Sequence, residues 1–249
     1  MNRLAIYGTS IVSVLAAWQL ISSLFFSPVL FPGPVAVAER AVILLQEGQL
    51  QKDVAASLAR VLAGFALGSL VGVAVGFIVG ASAGIRIFLD PYVHFLRFIT
   101  PIAWISPVMI WFGIGEASKV ILITYTTTFA VMLSTTAGIT TIPRNRIRAA
   151  QACGATKWQV FRVVIAPSTV TQILEGMRLA MGYSFMTVVP AEMLAAQSGL
   201  GYLIINSRLW LATDAIFVGI LALGCIGLAM DTIFRWVIYG VFKRYSTAS

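Results

Sequence analysis

From Val61 to Ile85 the chain carries no charged side chain. A helix of about 20 apolar residues crosses the hydrocarbon core of a bilayer, so this one run is long enough to span. Inside lipid every backbone polar group must be satisfied within the protein, and a helix does this within a single segment. The whole chain agrees with that solvent: of 249 residues, 59% are hydrophobic and 10% charged, and the mean hydropathy is +0.93. A soluble domain would carry roughly 25% charged residues. A soluble α/β enzyme, a disordered chain and a disulfide scaffold are excluded. The expected fold is an all-α membrane protein of about six transmembrane helices, with residues 1–249 as a single transmembrane domain.

Six runs carry the expectation. Leu4 to Phe26 is uncharged and too long for the apolar part of a signal peptide, and no small-x-small cleavage pattern follows, so it reads as a retained first span. The others are Val61 to Ile85, Phe95 to Phe112, Val120 to Thr140, Ile173 to Leu194 and Ala215 to Val241. Gly33 to Asp53 is broken by Glu39, Arg40, Glu47, Lys52 and Asp53 and reads as a surface helix outside the bilayer. The net charge of +8 is read as topology rather than nucleic-acid binding. With the N-terminus inside, twelve Lys and Arg fall on the inner side and five on the outer. Both termini are therefore expected in the cytoplasm.

Chemistry within the chain is sparse. There is no GxxxxGK[ST], HExxH or GxSxG pattern. His94 is the only histidine, and Cys153 and Cys225 have no pairing pattern, so no metal site and no disulfide are expected. Glu175 with Arg178, and Asp231 with Arg235, have the spacing of self-neutralising pairs on one helix. Gly64, Gly68, Gly72, Gly76, Gly80 and Gly84 recur every fourth residue, a pattern that lets helix backbones approach closely. Each four-residue step drifts by ~40°, so the stripe is expected to meet more than one helix. It fits packing within the bundle or a subunit interface. Pro101 and Pro107 are expected to kink the third span, either lining a pathway or only shaping the bundle.

The segment from Pro143 to Pro167 has five basic residues and no acid. From Arg146 on, Ala149 and Ala150 precede a break at Gly154, and a second helical stretch follows from about Lys157 to Val164, then Pro167, which reads as helix, turn, helix. A structured loop of this length is usually functional. It fits a docking knob or an amphipathic interfacial segment.

This loop resembles the EAA loop of membrane subunits of binding-protein-dependent ABC importers. Ala149, Ala150, Gly154 and Pro167 match that pattern, while Arg148 stands where the family carries an acid and Ala166 where it carries Leu. Pro101-Ile-Ala-Trp-Ile, Ile110 to Lys119, Ala191-Glu-Met-Leu-Ala-Ala and Gly199-Leu-Gly-Tyr-Leu look like the nitrate/sulfonate/taurine branch. Leu211-Ala-Thr-Asp and Arg146 to Gln151 look most like taurine-type members, and the likeness covers about residues 30 to 240.

The resemblance implies a type I importer permease bundle in the cytoplasmic (inner) membrane. It implies a homodimer, two cytoplasmic ABC ATPase subunits that hold the ATP and magnesium, and an extracytoplasmic substrate-binding protein. Arg148, Ala149, Ala150, Gly154, Ala155 and Pro167 would form the ATPase-coupling element. Trp104, Ser106, Tyr183, Thr187 and Glu192 are the expected pathway residues, with Glu192 at the external gate or the binding-protein contact. The solute implied is small and anionic or zwitterionic: taurine or an aliphatic sulfonate first, then nitrate, bicarbonate, an aromatic acid or a vitamin precursor. An autonomous carrier would need a coupling carboxylate at mid-depth, and an intramembrane enzyme a catalytic constellation. The chain shows neither pattern.

Overall fold

The computed structural model describes residues 3–25, 27 and 29–241, and is helical throughout with no strand among the described residues. The helices are α1 (Arg3–Phe25), α2 (Pro34–Gln46), α3 (Gln49–Ala81), α4 (Ala83–Phe98), α5 (Pro101–Phe112), α6 (Glu116–Thr140), α7 (Arg144–Ala152), α8 (Lys157–Val160), α9 (Ala166–Ala195), α10 (Leu200–Leu209) and α11 (Thr213–Val241). Among the described residues, four stretches are long and apolar enough to cross a membrane: Gly8–Phe25, Gln49–Ala81, Glu116–Thr140 and Thr213–Val237. The pair α4 and α5 is apolar enough only when taken together, and its 95° bend is that of a broken span or a re-entrant loop. The sixth expected crossing is α9, whose 30 residues suffice in length but include Glu175 and Arg178.

Several boundaries differ from the sequence reading. The surface helix ends at Gln46, and Lys52 and Asp53 belong to the first turns of α3. The third span is two helices instead of one kinked helix, because Ile99 and Thr100 are extended and Pro101 opens α5, where its missing N–H is no loss. Pro107 lies inside α5, and at the break the Leu96 carbonyl accepts both the Ile99 N–H at 3.0 Å and the Tyr125 hydroxyl at 2.7 Å. Pro167 does not end a helix: α8 winds through a wide π turn, Phe161–Ile165, straight into α9. Helix α10 lies outside the six expected spans.

The described chain forms two compact units. One takes in the residues as far as Leu58 together with Glu192–Ile226, and the other Ala59–Ala191 and the residues from Gly227 on. The first unit buries Val37 and Leu44 of α2 against Leu200, Leu203 and Val218. Trp18 of α1 packs on Phe31 and Phe217, and its indole N–H donates to the Pro32 carbonyl at 3.1 Å.

The second unit is organised by a seam between α3 and α6. A Cβ on Gly64 would lie 2.5 Å from Ile123, on Gly68 2.5 Å from Thr127, on Gly76 2.6 Å from Thr135 and on Gly80 2.5 Å from Ile139. Gly72 faces the Thr128 carbonyl and Val131. Thr124, Thr128 and Thr136 donate to the carbonyls of Gly64, Gly68 and Gly76 at 3.3–3.4 Å. In lipid, close packing and such interhelical hydrogen bonds are what hold helices together.

One helix follows the stripe from Gly64 to Gly80, contrary to the expectation of several partners. The reason is that α6 has its own every-fourth series, Ile123, Thr127, Val131, Thr135 and Ile139, so both contact lines drift in the same sense. Gly84 lies beyond the break at Ser82 and belongs to α4. Helix α9 closes on α6 from another side. Gly176 meets Ser134, Gly138 meets Thr169 and Gln172, and Ser184 shares a 2.9 Å hydrogen bond with Thr127.

Candidate functional site

The loop after α6 is a built structure. Helix α7 ends in a reciprocal pair of bonds, Gly154 N–H to the Gln151 carbonyl at 2.9 Å and Ala155 N–H to the Ala150 carbonyl at 3.1 Å. This end motif needs a left-handed residue at its corner, and Gly154 supplies it with φ +80°. Thr156 and Gln159 then cap α8 reciprocally: the Gln159 N–H donates to the Thr156 hydroxyl, and the Thr156 N–H donates to Gln159 Oε1 at 2.8 Å. Phe161 stacks on Trp158 and meets Phe77 edge-on at 5.2 Å, which ties the loop to the end of α3.

Arg148 and Ala149 are exposed on α7, and Ala150, Gly154, Ala155, Gln159 and Val163 line a shallow open hollow. Around it Arg144, Arg146, Lys157 and Arg162 are exposed, with Trp158 66% and Val163 71% accessible. Pro167 is half-buried at the start of α9. A rigid, basic, small-residue knob with an apolar shoulder can seat in a groove of another protein and transmit a push.

Glu192 is not a surface carboxylate: it is 0% exposed. Its Oε2 accepts the Gly201 N–H at 2.9 Å, and the Ser57 hydroxyl lies 2.8 Å from both carboxylate oxygens. Ser57 accepts the Leu200 N–H at 2.8 Å, and the buried Asp53 accepts the Gly199 N–H at 2.8 Å. The first N–H groups of α10 are therefore closed by three side chains, two from α3 and one from α9. Those N–H groups have no partner in their own helix, and the helix dipole favours negative charge there. Gly199 is held at φ +121°, and a Cβ on it would collide with the Glu192 carboxyl.

The other expected pathway residues belong to the second unit. Trp104 is half-buried against Trp111 and Tyr125. Ser106 is exposed on α5, and Tyr183 is exposed on α9. Thr187 is buried, 3.0 Å from the Thr126 hydroxyl and 2.8 Å from the Tyr183 carbonyl. Trp104 and Thr187 thus contact successive residues of α6, Tyr125 and Thr126.

Residues 44–246 match the family model for the binding-protein-dependent transport system inner membrane component. The chain belongs to this family. It is 38% identical over 236 residues to a probable ABC transporter permease protein of Brucella melitensis, covering 94% of this chain and 95% of that one. It is 35% identical to the taurine transport system permease protein of Escherichia coli K12, covering 90% and 83%. It is 37% identical to a putative aliphatic sulfonates transport permease protein of the same strain, covering 88% and 84%. Among solved structures, a chain of the inward-facing MetNI methionine ABC transporter shares the fold, with a TM-score of 0.61 at 18% identity over 76% of this chain and 95% of that one.

The permease is a multi-pass inner-membrane transport component rather than an enzyme. Family membership implies ATPase subunits and a substrate-binding protein. Two groups in the permease escaped the sequence reading. Asp53 and Ser57 stand one turn apart on α3, and this polar pair in the first turns of an apolar helix was the available signal. Arg60 and Lys119, both buried, converge on exposed Glu116, with 2.8 Å contacts to Oε1. Arg178 pairs across helices with Asp231 at 2.8 Å, and Arg235 joins it at 3.3 Å, so the expected Asp231–Arg235 pair is part of a larger cluster.

Proposed function

We propose that the permease passes a small anionic or zwitterionic solute, taurine or an aliphatic sulfonate first, across the inner membrane. Bicarbonate, nitrate, an aromatic acid or a vitamin precursor are the alternatives. Hydrolysis of ATP on two separate cytoplasmic ATPase subunits drives the passage, and an extracytoplasmic binding protein delivers the solute. The observation that carries the solute class is the likeness to named taurine and aliphatic-sulfonate permeases at 35% and 37% identity.

Two copies of the chain form the membrane part of the complex, with both termini in the cytoplasm, as the excess of Lys and Arg on the inner side supports. Arg148, Ala149, Ala150, Gly154 and Ala155 seat in a groove of each ATPase, and Pro167 sets the start of α9 behind them. The exposed, capped helix–turn–helix supports this reading. Its basic face fits an acidic rim, since Arg148 replaces the acid of the resembled motif. Movement of the two loops on ATP binding would be carried into α9 through the continuous π turn. Trp104, Ser106 and Tyr183 border the passage, and the buried Thr187 stands behind them, bonded to Thr126 and to the Tyr183 carbonyl. Glu192 holds the external end closed in shape through α10.

The test is co-expression with the neighbouring ATPase and binding protein. The ATPase should copurify with the permease, and reconstituted vesicles should take up labelled taurine when ATP and binding protein are both present. Failure of the ATPase to copurify would sink the importer reading. Copurification with uptake of another anion alone would overturn the solute assignment.

A further inference from the structure

Helices α3 and α6 lie side by side in the same direction: Gly64 meets Ile123 at one end of the seam, and Gly80 meets Ile139 at the other. The chain between them must return along the whole seam, and α4 with α5 is that return. Its height can be read against α6. The Tyr125 hydroxyl bonds the Leu96 carbonyl, so the end of α4 stands about a third of the way along α6, ~14 Å from its Glu116 end at 1.5 Å per residue. Both flanking helices are apolar enough to span. Arg97, next to Leu96, therefore lies at membrane depth.

Helix α4 has three faces. Leu89, Val93 and Leu96 are half-buried against neighbours. Ile87, Phe88, Phe95 and Phe98 are 67–75% exposed and form an apolar flank. Asp90, His94 and Arg97, spaced four and three residues apart, form an exposed polar line. The Arg97 guanidinium lies 4.9 Å from the Phe98 ring centroid and has no carboxylate partner among the described residues. Ionisable groups at this depth do not face hydrocarbon; they face protein or a water-filled cavity. The apolar flank beside them is the part suited to lipid.

We infer that the Asp90–His94–Arg97 line borders the aqueous solute passage and that Arg97 is the cation that meets the anionic group of the solute. The solute's identity rests on the proposed function; the aqueous lining does not. A guanidinium fits a sulfonate or carboxylate through two parallel N–H donors, and here it stands beside the break between α4 and α5. The line adds Asp90, His94 and Arg97 to Trp104, Ser106 and Tyr183 as residues of the passage.

The test uses the assembled complex with its ATPase, in a background of Cys153→Ser and Cys225→Ser, since both native thiols are exposed. Asp90→Cys, His94→Cys, Phe88→Cys and Phe95→Cys are each treated with two membrane-impermeant thiol reagents, the anionic methanethiosulfonate ethylsulfonate and its cationic trimethylammonium counterpart. Asp90→Cys and His94→Cys should react readily, and Phe88→Cys and Phe95→Cys hardly at all. At His94→Cys the anionic reagent should gain roughly tenfold over the cationic one through local attraction. Added Arg97→Gln should remove that gain and Arg97→Lys should keep it. Equal reaction of the polar and apolar positions, or no reaction at His94→Cys in a complex that retains its ATPase, would overturn the proposal and assign the line to a contact with a second copy. An unchanged reagent preference in Arg97→Gln would remove Arg97 from the role. Loss of ATPase copurification from the unsubstituted chain would instead sink the importer reading and leave the labelling pattern to report the cavity.

Discussion

The carboxylate of Glu192 accepts the backbone N–H of Gly201 at 2.9 Å, so a buried acid of α9 closes the open end of α10. Ser57 completes the closure by donating to the same carboxylate while accepting from Leu200. Removing one partner of a buried, charge-assisted bond costs about 1.5–3 kcal/mol. Ser57→Ala should therefore lower the thermal stability of the detergent-solubilised permease by that order. A melting curve unchanged from the parent would show that the carboxylate does not depend on the hydroxyl.

Gly199→Ala should be worse tolerated than any substitution in the open parts of α9. At φ +121° a side chain is strained, and its Cβ would meet the Glu192 carboxyl. The expected loss is about 1–3 kcal/mol. Gly182→Ala is the control: nothing lies within 4 Å of that position, which sits inside a helix, and alanine should stabilise it by about 0.5–1 kcal/mol. Equal melting temperatures for the two variants would refute the clamp as the source of the difference.

Gly76→Leu should prevent correct folding of the isolated permease, without any partner subunit present. Thr135 occupies the space a Cβ would need, at 2.6 Å, and the neighbouring glycines leave α3 no room to withdraw. Size-exclusion chromatography of the solubilised chain reads the outcome. A monodisperse Gly76→Leu protein of normal yield would mean that the seam opens freely.

Gly154→Asp should leave insertion and folding intact and abolish association with the ATPase. No atom lies within 4 Å of the Cβ position, so the cost inside this chain is the left-handed backbone alone, about 1–2 kcal/mol. Gly154→Ala should carry a similar backbone cost with less obstruction of a groove, and so retain more ATPase in pull-down. Normal ATPase recovery and uptake with Gly154→Asp would refute the coupling assignment.

Arg178 and Asp231 form a two-pronged pair between α9 and α11. Asp231→Arg alone should reduce the yield of folded protein by leaving three cations together with Arg235. Combining it with Arg178→Asp should restore much of that yield. Absence of rescue in fluorescence-detected chromatography would show that the pair adds nothing specific.

The spans were legible because hydropathy is a local property. Val61 to Ile85 announces a crossing wherever it sits, and Gly154 announces a turn because few residues accept its backbone. The basic helix–turn–helix was legible for the same reason: Ala150, Gly154, Thr156 and Gln159 make their bonds within a few residues of one another. The clamp was not legible. Asp53 and Ser57 reach Gly199 and Leu200 across more than a hundred residues of chain, and no spacing rule joins them. Glu192 read as an external carboxylate because its position near a span end says nothing of what covers it.

Charge, length and backbone preference within one segment were enough to set the solvent, the helical class, and the basic loop with its turn. Tertiary structure alone decided which helix the glycine stripe serves, that the third span breaks in two at Ile99 and Thr100, and that Glu192 and Asp53 are buried. A glycine stripe is only permission for close approach; the partner is chosen by a complementary series, here Ile123, Thr127, Val131, Thr135 and Ile139. A carboxylate is stable out of water only when donors from elsewhere in the chain arrive at it, and which donors arrive is a property of the packed fold.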